Sequence, residues 1–208
     1  MMTQTTRPVI AAFDFDKTIT RCDTLLPFLL YTKGVKALWA LFLSLPAFIA
    51  FVINRNRRQQ AKETVLTHIF AGTPIATMRE LGVRYAKEKL PCYVHADALK
   101  RIAWHKSQGH RVILISANLE VYLNSWAKAH QVDDVIASRL QLDDKGCVTG
   151  KLEEGNCWGE EKVKRLLNLV GPRDTFTLYA YGDSHGDAAL LATADYPYYR
   201  HIPITEAS

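Results

Sequence analysis

The apolar positions fall into short runs on either side of one long stretch without strand character. Residues 9–13 (VIAAF) are uniformly apolar and open with two β-branched residues, as in a strand buried on both faces. Similar runs recur at 111–116 (RVILIS), 135–138 and 175–181 (TFTLYAY), with a last one near 198–202. Residues 139–142 and 147–151 read as a hairpin around Asp143-Asp144-Lys145-Gly146. Between residues 21 and about 105 the period is helical. Thr73 as N-cap and Pro74 at the first position open a helix that buries Met78, Leu81 and Tyr85. Residues 96–106 form another that buries Leu99, Ile102 and Ala103 and ends near Gly109. A helix directly after Ser116-Ala117-Asn118 carries Leu119, Leu123, Trp126 and His130 near one face. One more runs from about residue 158 through Leu169. Strands alternating with helices predict an α/β fold interrupted by a helical insertion.

The insertion begins with an unusually apolar segment, residues 25–53. From 37 to 53 only Ser44 and Pro46 are not apolar. Seventeen helical residues span roughly 25 Å, short of the roughly 30 Å hydrocarbon core, and Pro46 breaks the helix. A single crossing would also put Asp14 and the later polar motifs on opposite sides of a bilayer. Lys33 and Lys36 flank one end and Arg55, Arg57 and Arg58 the other, so both ends read as cytoplasmic. Two readings remain open: a helical hairpin dipping into an anionic membrane interface, and two buried helices of a soluble cap.

Composition narrows the class. With 208 residues, 48% hydrophobic and 23% charged, the chain suits one globular domain with a modest insertion. Its net charge of +5 favours anionic partners. The basic cluster abuts apolar sequence and no nucleic-acid motif is present, so nucleic acid is not an expected partner. Cys22, Cys92, Cys147 and Cys157 form no CxxC pair, and the start MMTQTTRPV has no apolar signal core. A cytoplasmic protein is expected, peripheral to the inner face of the membrane if the apolar segment docks there.

The chemistry gathers at strand ends. The first run stops at Asp14-Phe15-Asp16, followed by Thr18. Two carboxylates at the carboxyl edge of a parallel sheet lie where such sheets bind ligands. They raise each other's pKa unless a cation intervenes, an arrangement suited to a nucleophile, a proton donor and a divalent metal. Ser116 ends the second long run, where its hydroxyl, the next backbone N–H groups and a helix N-terminus would hold a phosphate. Lys162 opens a helix, and Lys164 points away from it. The run 175–181 leads into Gly182-Asp183-Ser184-His185-Gly186-Asp187.

DFDKT at 14–18 resembles the DxDxT motif of the haloacid dehalogenase superfamily of phosphatases. The resemblance implies Asp14 as nucleophile, Asp16 as general acid/base and Thr18 as a turn-locking hydroxyl. The second aspartate separates phosphatases from the dehalogenases of that superfamily. Residues 16–20 are also similar to the DKTGT of P-type ATPases but depart from it at Ile19. Ser116, with Ala117 and Asn118, corresponds to the second, phosphate-binding motif, and Lys162 to the third. Asp183 and Asp187 match the fourth, GDxxxD. The resemblance further implies Mg²⁺ held by Asp14, Asp16, Asp183 and Asp187, and a Rossmann-like parallel sheet core (1–20 and 106–208). The insertion at 21–105 becomes a helical cap between the first and second motifs, the mark of the phosphoserine-phosphatase-like branch, subfamily IB. Asp23 corresponds to that branch's acidic substrate-reading residue, whereas Gly186 stands where it usually has Asn. Within the branch, the apolar cap segment, Cys157-x-Gly159-x-Glu161-Lys162-Val163, Ile136-Ala137-Ser138 and Tyr181-x-Asp183-Ser184-x-x-Asp187 are most similar to the phosphatidylglycerophosphatase C group of bacteria. That implies removal of a phosphate monoester from a lipid headgroup, with a small soluble substrate such as phosphoserine as the alternative.

Overall fold

The computed structural model describes residues 7–54 and 57–203, so Arg55 of the basic flank lies outside the described residues. Six strands, β1 (Val9–Phe13), β2 (Arg111–Leu119), β3 (Asp134–Leu142), β4 (Val148–Glu153), β5 (Thr177–Gly182) and β6 (Tyr196–Tyr199), form one sheet in the order β4-β3-β2-β1-β5-β6. All pairings are parallel except β3 with β4. Successive residues of β1 serve opposite faces. Ile10 and Ala12 join Leu166, Phe176 and Leu190, while Ala11 and Phe13 join Leu114, Leu123 and Trp126. A strand covered on both faces has no polar positions to alternate, which is why VIAAF is uniformly apolar. The chain adds β2 and β3 on one side of β1 and β5 and β6 on the other. The carboxyl end of β1 is therefore the switch point where open sheets form their ligand crevice.

Among the described residues, six α-helices run between β1 and β2: α1 (Leu25–Lys33), α2 (Val35–Leu43), α3 (Leu45–Ile53), α4 (Arg58–Phe70), α5 (Ile75–Glu88) and α6 (Ala96–Ser107). After β2 come α7 (Glu120–Ala129), then α8 (Glu160–Val170) and α9 (Ala188–Thr193). Phe28 of α1, Tyr85 of α5 and Tyr122 of α7 meet ring to ring, with centroids 4.9 to 5.4 Å apart, tying the insertion to the sheet layer.

Several expectations shift. β2 continues to Leu119 through an irregularity between Ile115 and Leu119, so the helix starts at Glu120 and not directly after Ser116. Side chains hold this segment extended: Asn118 N–H donates to Ser116 Oγ and Ser138 Oγ to the Ala117 carbonyl. β3 fuses the third run with the first arm of the hairpin, pairing with β2 and then with β4. Pro74, not Thr73, caps α5, because residues 73–74 are drawn into bridges with Cys147 and Val148. In α6 the buried residues are Ala98, Arg101, Ile102 and His105, and Ala103 is exposed. Arg101 Nε and His105 Nε2 reach Tyr181 Oη at 2.7 and 2.8 Å, which turns that polar face inward. β6 lies two residues earlier than the apolar run suggested, with Tyr198 stacked on Tyr181 at 4.8 Å.

Among the described residues no single helix is long and apolar enough to cross a membrane. α2 and α3 form a bent pair, 53° apart, rather than a tight hairpin. The break falls at Ser44, whose hydroxyl donates to Ala40 O, while Pro46 sits in the first turn of α3, where its missing N–H costs no helical bond. The pair's outer face is bare: Trp39 and Phe42 are each 65% exposed, Val52 74% and Ile53 81%.

Burial, helped by Arg101 and His110, pushes the buried His105 down to about 3 from its ordinary 6.5. The unfolded chain therefore takes up this proton first. The stability contributed by neutral His105 is complete above about pH 6.5 and is lost as pH falls toward 3. Urea unfolding between pH 7 and 4 should show a smaller acid loss in His105→Gln than in the wild type. Equal losses would remove His105 as the cause.

Candidate active site

Backbone register brings the site together. Phe13 pairs with Tyr181, and Asp14 N–H donates to Tyr181 O, so Asp14 leaves β1 beside the loop that leaves β5. Asp14 is 6% exposed. Its Oδ1 accepts from Lys162 Nζ at 2.5 Å, and Thr18 Oγ1 donates to Oδ2 at 3.4 Å. Lys162 projects from the first turn of α8, 2% exposed, and donates also to Asp187 Oδ1 at 2.6 Å. Lys164, by contrast, faces solvent. Burial would depress the Lys162 ammonium, but Asp14 and Asp187 outweigh it and hold its pKa above the ordinary value. Burial pushes Asp14 up to about 6, with Lys162 opposing the shift.

The loop after β5 is built around Asp187. Its Oδ2 accepts from Asp183 N, Ser184 N and Ser184 Oγ, a capping box that fixes the turn. A Cβ on Gly182 would lie 2.5 Å from Asp187 Cβ, so only glycine fits there. A Cβ on Gly186 would lie 2.3 Å from Trp158 Nε1, so the indole occupies the room an Asn would need. His185 is exposed and lies beside Trp158.

One oxygen from each of Asp14, Asp183 and Asp187 lies within 4.8 Å of the others. Hard carboxylate oxygens at this spacing fit a divalent cation such as Mg²⁺. Among the described residues the Asp183 carboxylate accepts no hydrogen bond, which leaves it free to ligate, whereas Asp187 Oδ2 is taken up by three donors and only its Oδ1, beside Lys162, has a lone pair to spare. The Asp16 side chain lies outside this group. Its Oδ1 accepts from Thr24 N at 3.1 Å and Thr24 Oγ1 at 2.7 Å, and its Oδ2 from Asn118 Nδ2 at 2.6 Å. Burial, and then the charge of Asp23, pushes Asp16 up to about 8.

Ser116, Ala117 and Asn118 all border the site, but their polar atoms have distinct employment. Ser116 Oγ accepts from Asn118 N–H, Ala117 O accepts from Ser138 and Lys62, and Asn118 Nδ2 is spent on Asp16 and Thr24. Asp23 is exposed; its Oδ1 accepts from Leu25 N–H at the start of α1. Thr24, Lys62 and Asn156 were not singled out from the sequence. Thr24 gives no periodic signal, but Lys62 interrupts the apolar face Ala61, Val65, Leu66 of α4, an anomaly visible in the sequence. The cavity over these groups has a volume of about 730 Å³. Its walls run from Asp14, Asp16 and Asp183 to Leu26 and Leu29 of α1, Leu41 of α2 and Phe51 of α3.

The family model described as haloacid dehalogenase-like hydrolase matches residues 11–192. Protein CicA of Caulobacter vibrioides is 31% identical over 93% of this chain and 86% of its own length. A probable phosphatase of Mycobacterium tuberculosis is 29% identical over 87% of this chain and 64% of its own. The apo structure of a phosphoserine phosphatase superposes with a TM-score of 0.58 at 17% identity, covering 90% of this chain and 84% of that one, a likeness of fold.

Removing the shared ammonium should leave two buried carboxylates facing each other. Lys162→Met is expected to lower the unfolding free energy by about 3–5 kcal/mol in EDTA, measured by urea titration. A loss below about 1 kcal/mol, the scale of an exposed pair, would show that the three groups do not act as a unit.

Proposed function

The chain belongs to the haloacid dehalogenase-like hydrolases, and on that premise we propose that it is a Mg²⁺-dependent phosphomonoester hydrolase working through an aspartyl-phosphate on Asp14. The observation that carries this reading is the separation of two neighbouring carboxylates: Asp14 is paired with Lys162, while Asp16 is pushed up to about 8. Asp14 attacks phosphorus in line, and the bond to the leaving oxygen breaks as protonated Asp16 gives that oxygen its proton. Asp16, now a carboxylate, takes a proton from water as the water attacks the aspartyl-phosphate, releasing phosphate and restoring Asp14. Lys162 and the Ser116 hydroxyl stabilise charge on the phosphoryl oxygens, and Thr18 orients the nucleophile. Asp14, Asp183 and Asp187 would hold Mg²⁺, with Asp16 bordering the site; the ion would supply charge neutralisation between nucleophile and phosphate.

The substrate reading follows from the apolar walls. Residues 21–105 act as a cap over a core of 1–20 and 106–208, and the cavity beneath it meets Leu41 and Phe51 on helices whose other sides are bare. A lipid phosphate, of the kind taken by the phosphatidylglycerophosphatase C group of subfamily IB, suits such a cavity better than phosphoserine does. The exposed face of α2 and α3, flanked by Lys36 and Arg57, fits an anionic membrane surface on the cytoplasmic side.

Two measurements test this. Asp14→Asn, which cannot form the acyl phosphate, should fold normally and release no phosphate from p-nitrophenyl phosphate, and EDTA should abolish wild-type activity until Mg²⁺ is restored. Turnover by folded Asp14→Asn would overturn the assignment. In vesicle flotation, the detergent-free protein should float with anionic vesicles. Lys36→Gln with Arg57→Gln should weaken that binding, each charge contributing about 1 kcal/mol. Trp39→Ser with Phe42→Ser should weaken it with little sensitivity to salt. Protein that stays at the bottom of the gradient would favour a small soluble ester.

A further inference from the structure

A second cavity, of about 190 Å³, adjoins the first at Lys17, which lines both. Its floor includes the buried Thr18 and Gly182, and its walls carry Lys17, His95, Arg200 and His201. The mechanism uses none of these four wall groups. Asp97 supplies a carboxylate to the same wall, but that carboxylate is paired with Lys100 at 3.2 Å. Elsewhere on the surface Lys106, Arg111, Arg139 and Arg173 each hold a carboxylate at 2.5 to 2.8 Å. Among the described residues neither Lys17 nor Arg200 forms such a pair. Both have left-handed backbones, at φ 57° and 54°, a conformation that residues with a Cβ keep only where their surroundings impose it. Arg200 N–H donates to Gly182 O and Arg200 Nε to Asp183 O, each at 2.8 Å. Those two bonds fix the guanidinium and leave its terminal amino groups unspent among the described residues.

We propose that this cavity is a second oxyanion site, separate from the catalytic phosphate position, that takes a group the size of inorganic phosphate. A planar guanidinium and an ammonium on facing walls suit a tetrahedral anion, and two imidazoles add donors. Size limits the ligand. Pockets for drug-sized molecules start at roughly 300 Å³, so this one admits an oxyanion with little attached to it. The site does not depend on the phosphatase reading; if that reading holds, its ligand is the reaction's own product. Because Arg200 is bonded to both Gly182 and Asp183, occupancy is transmitted to the loop that carries Asp183 and Asp187.

Equilibrium dialysis of the full-length protein against inorganic phosphate tests the site directly. In EDTA, Asp14, Asp183 and Asp187 face the catalytic position with no metal between them and repel phosphate. One saturable equivalent should still bind, with a Kd of about 1 mM, the scale of a few charge-assisted bonds to exposed partners. The imidazole NMR signals of His95 and His201 should shift along the same curve. Lys17→Gln with His201→Gln, both at exposed positions that spare the fold, should weaken binding about tenfold, the scale of one charge-assisted hydrogen bond. Glycerol phosphate should bind less tightly than inorganic phosphate; equal or tighter binding would overturn the size argument. No saturable binding, unchanged affinity in the double variant, or unshifted His95 and His201 would overturn the site. With Mg²⁺, phosphate should lower kcat for p-nitrophenyl phosphate as well as raise its KM, and the kcat effect should vanish in the double variant. Purely competitive inhibition would overturn the link to the Asp183 loop. Failure to release p-nitrophenol would overturn the phosphatase reading and leave the dialysis to decide the site.

Discussion

One buried ammonium holds the site together. Lys162 lies between Asp14 at the end of β1 and Asp187 in the loop after β5, at 2.5 and 2.6 Å. Without it two buried carboxylates would repel each other across the sheet's switch point. Its position constrains much else: α8 must place its first turn over the strand ends, and β1 and β5 must keep the register that sets Phe13 opposite Tyr181. Asp187 in turn dictates the loop, since its second oxygen gathers the Asp183 and Ser184 amides. Asp183 is left as the carboxylate with spare capacity.

Asp16, two residues from Asp14, lives under different rules. Among the described residues no cation pairs with it; its partners are a threonine and an amide. Environments that drive neighbouring carboxylates apart in pKa divide the labour between nucleophile and proton donor. The surroundings of Asp16 are maintained by the inserted helices. Thr24 precedes α1, its carbonyl accepts from Tyr85 Oη at 2.9 Å, and its hydroxyl lies 3.4 Å from Tyr122 Oη. The aromatic cluster that binds the insertion to the sheet thus reaches the Asp16 carboxylate through one threonine.

The strands were legible because burial on both faces leaves an unbroken apolar run, as in VIAAF and RVILI. Asp14, Asp16, Asp183 and Asp187 stood out as carboxylates at strand ends and Lys162 through its match to the third motif, and the structure brings Lys162 between Asp14 and Asp187. What escaped the sequence depends on distant partners. The continuation of β2 to Leu119 is set by Ser138 and Lys62, which no local pattern reveals. The inward turn of α6 is set by the Tyr181 hydroxyl, a polar group hidden in an aromatic strand. The bend of α2 and α3 falls at Ser44 because proline is tolerated in a first turn.

Gly186 and Trp158 occupy one volume between them. A side chain at 186 evicts the indole, and the indole is also the platform beneath the Arg58 guanidinium. The loop residue and the cation on the far wall are therefore mutationally coupled without touching. An asparagine at 186 requires the indole to move or to be replaced by a smaller group, and either change alters the surface on which Arg58 rests. Lineages that diverged at this loop would be expected to have changed all three together, and single-residue transplants between them should fail in both directions.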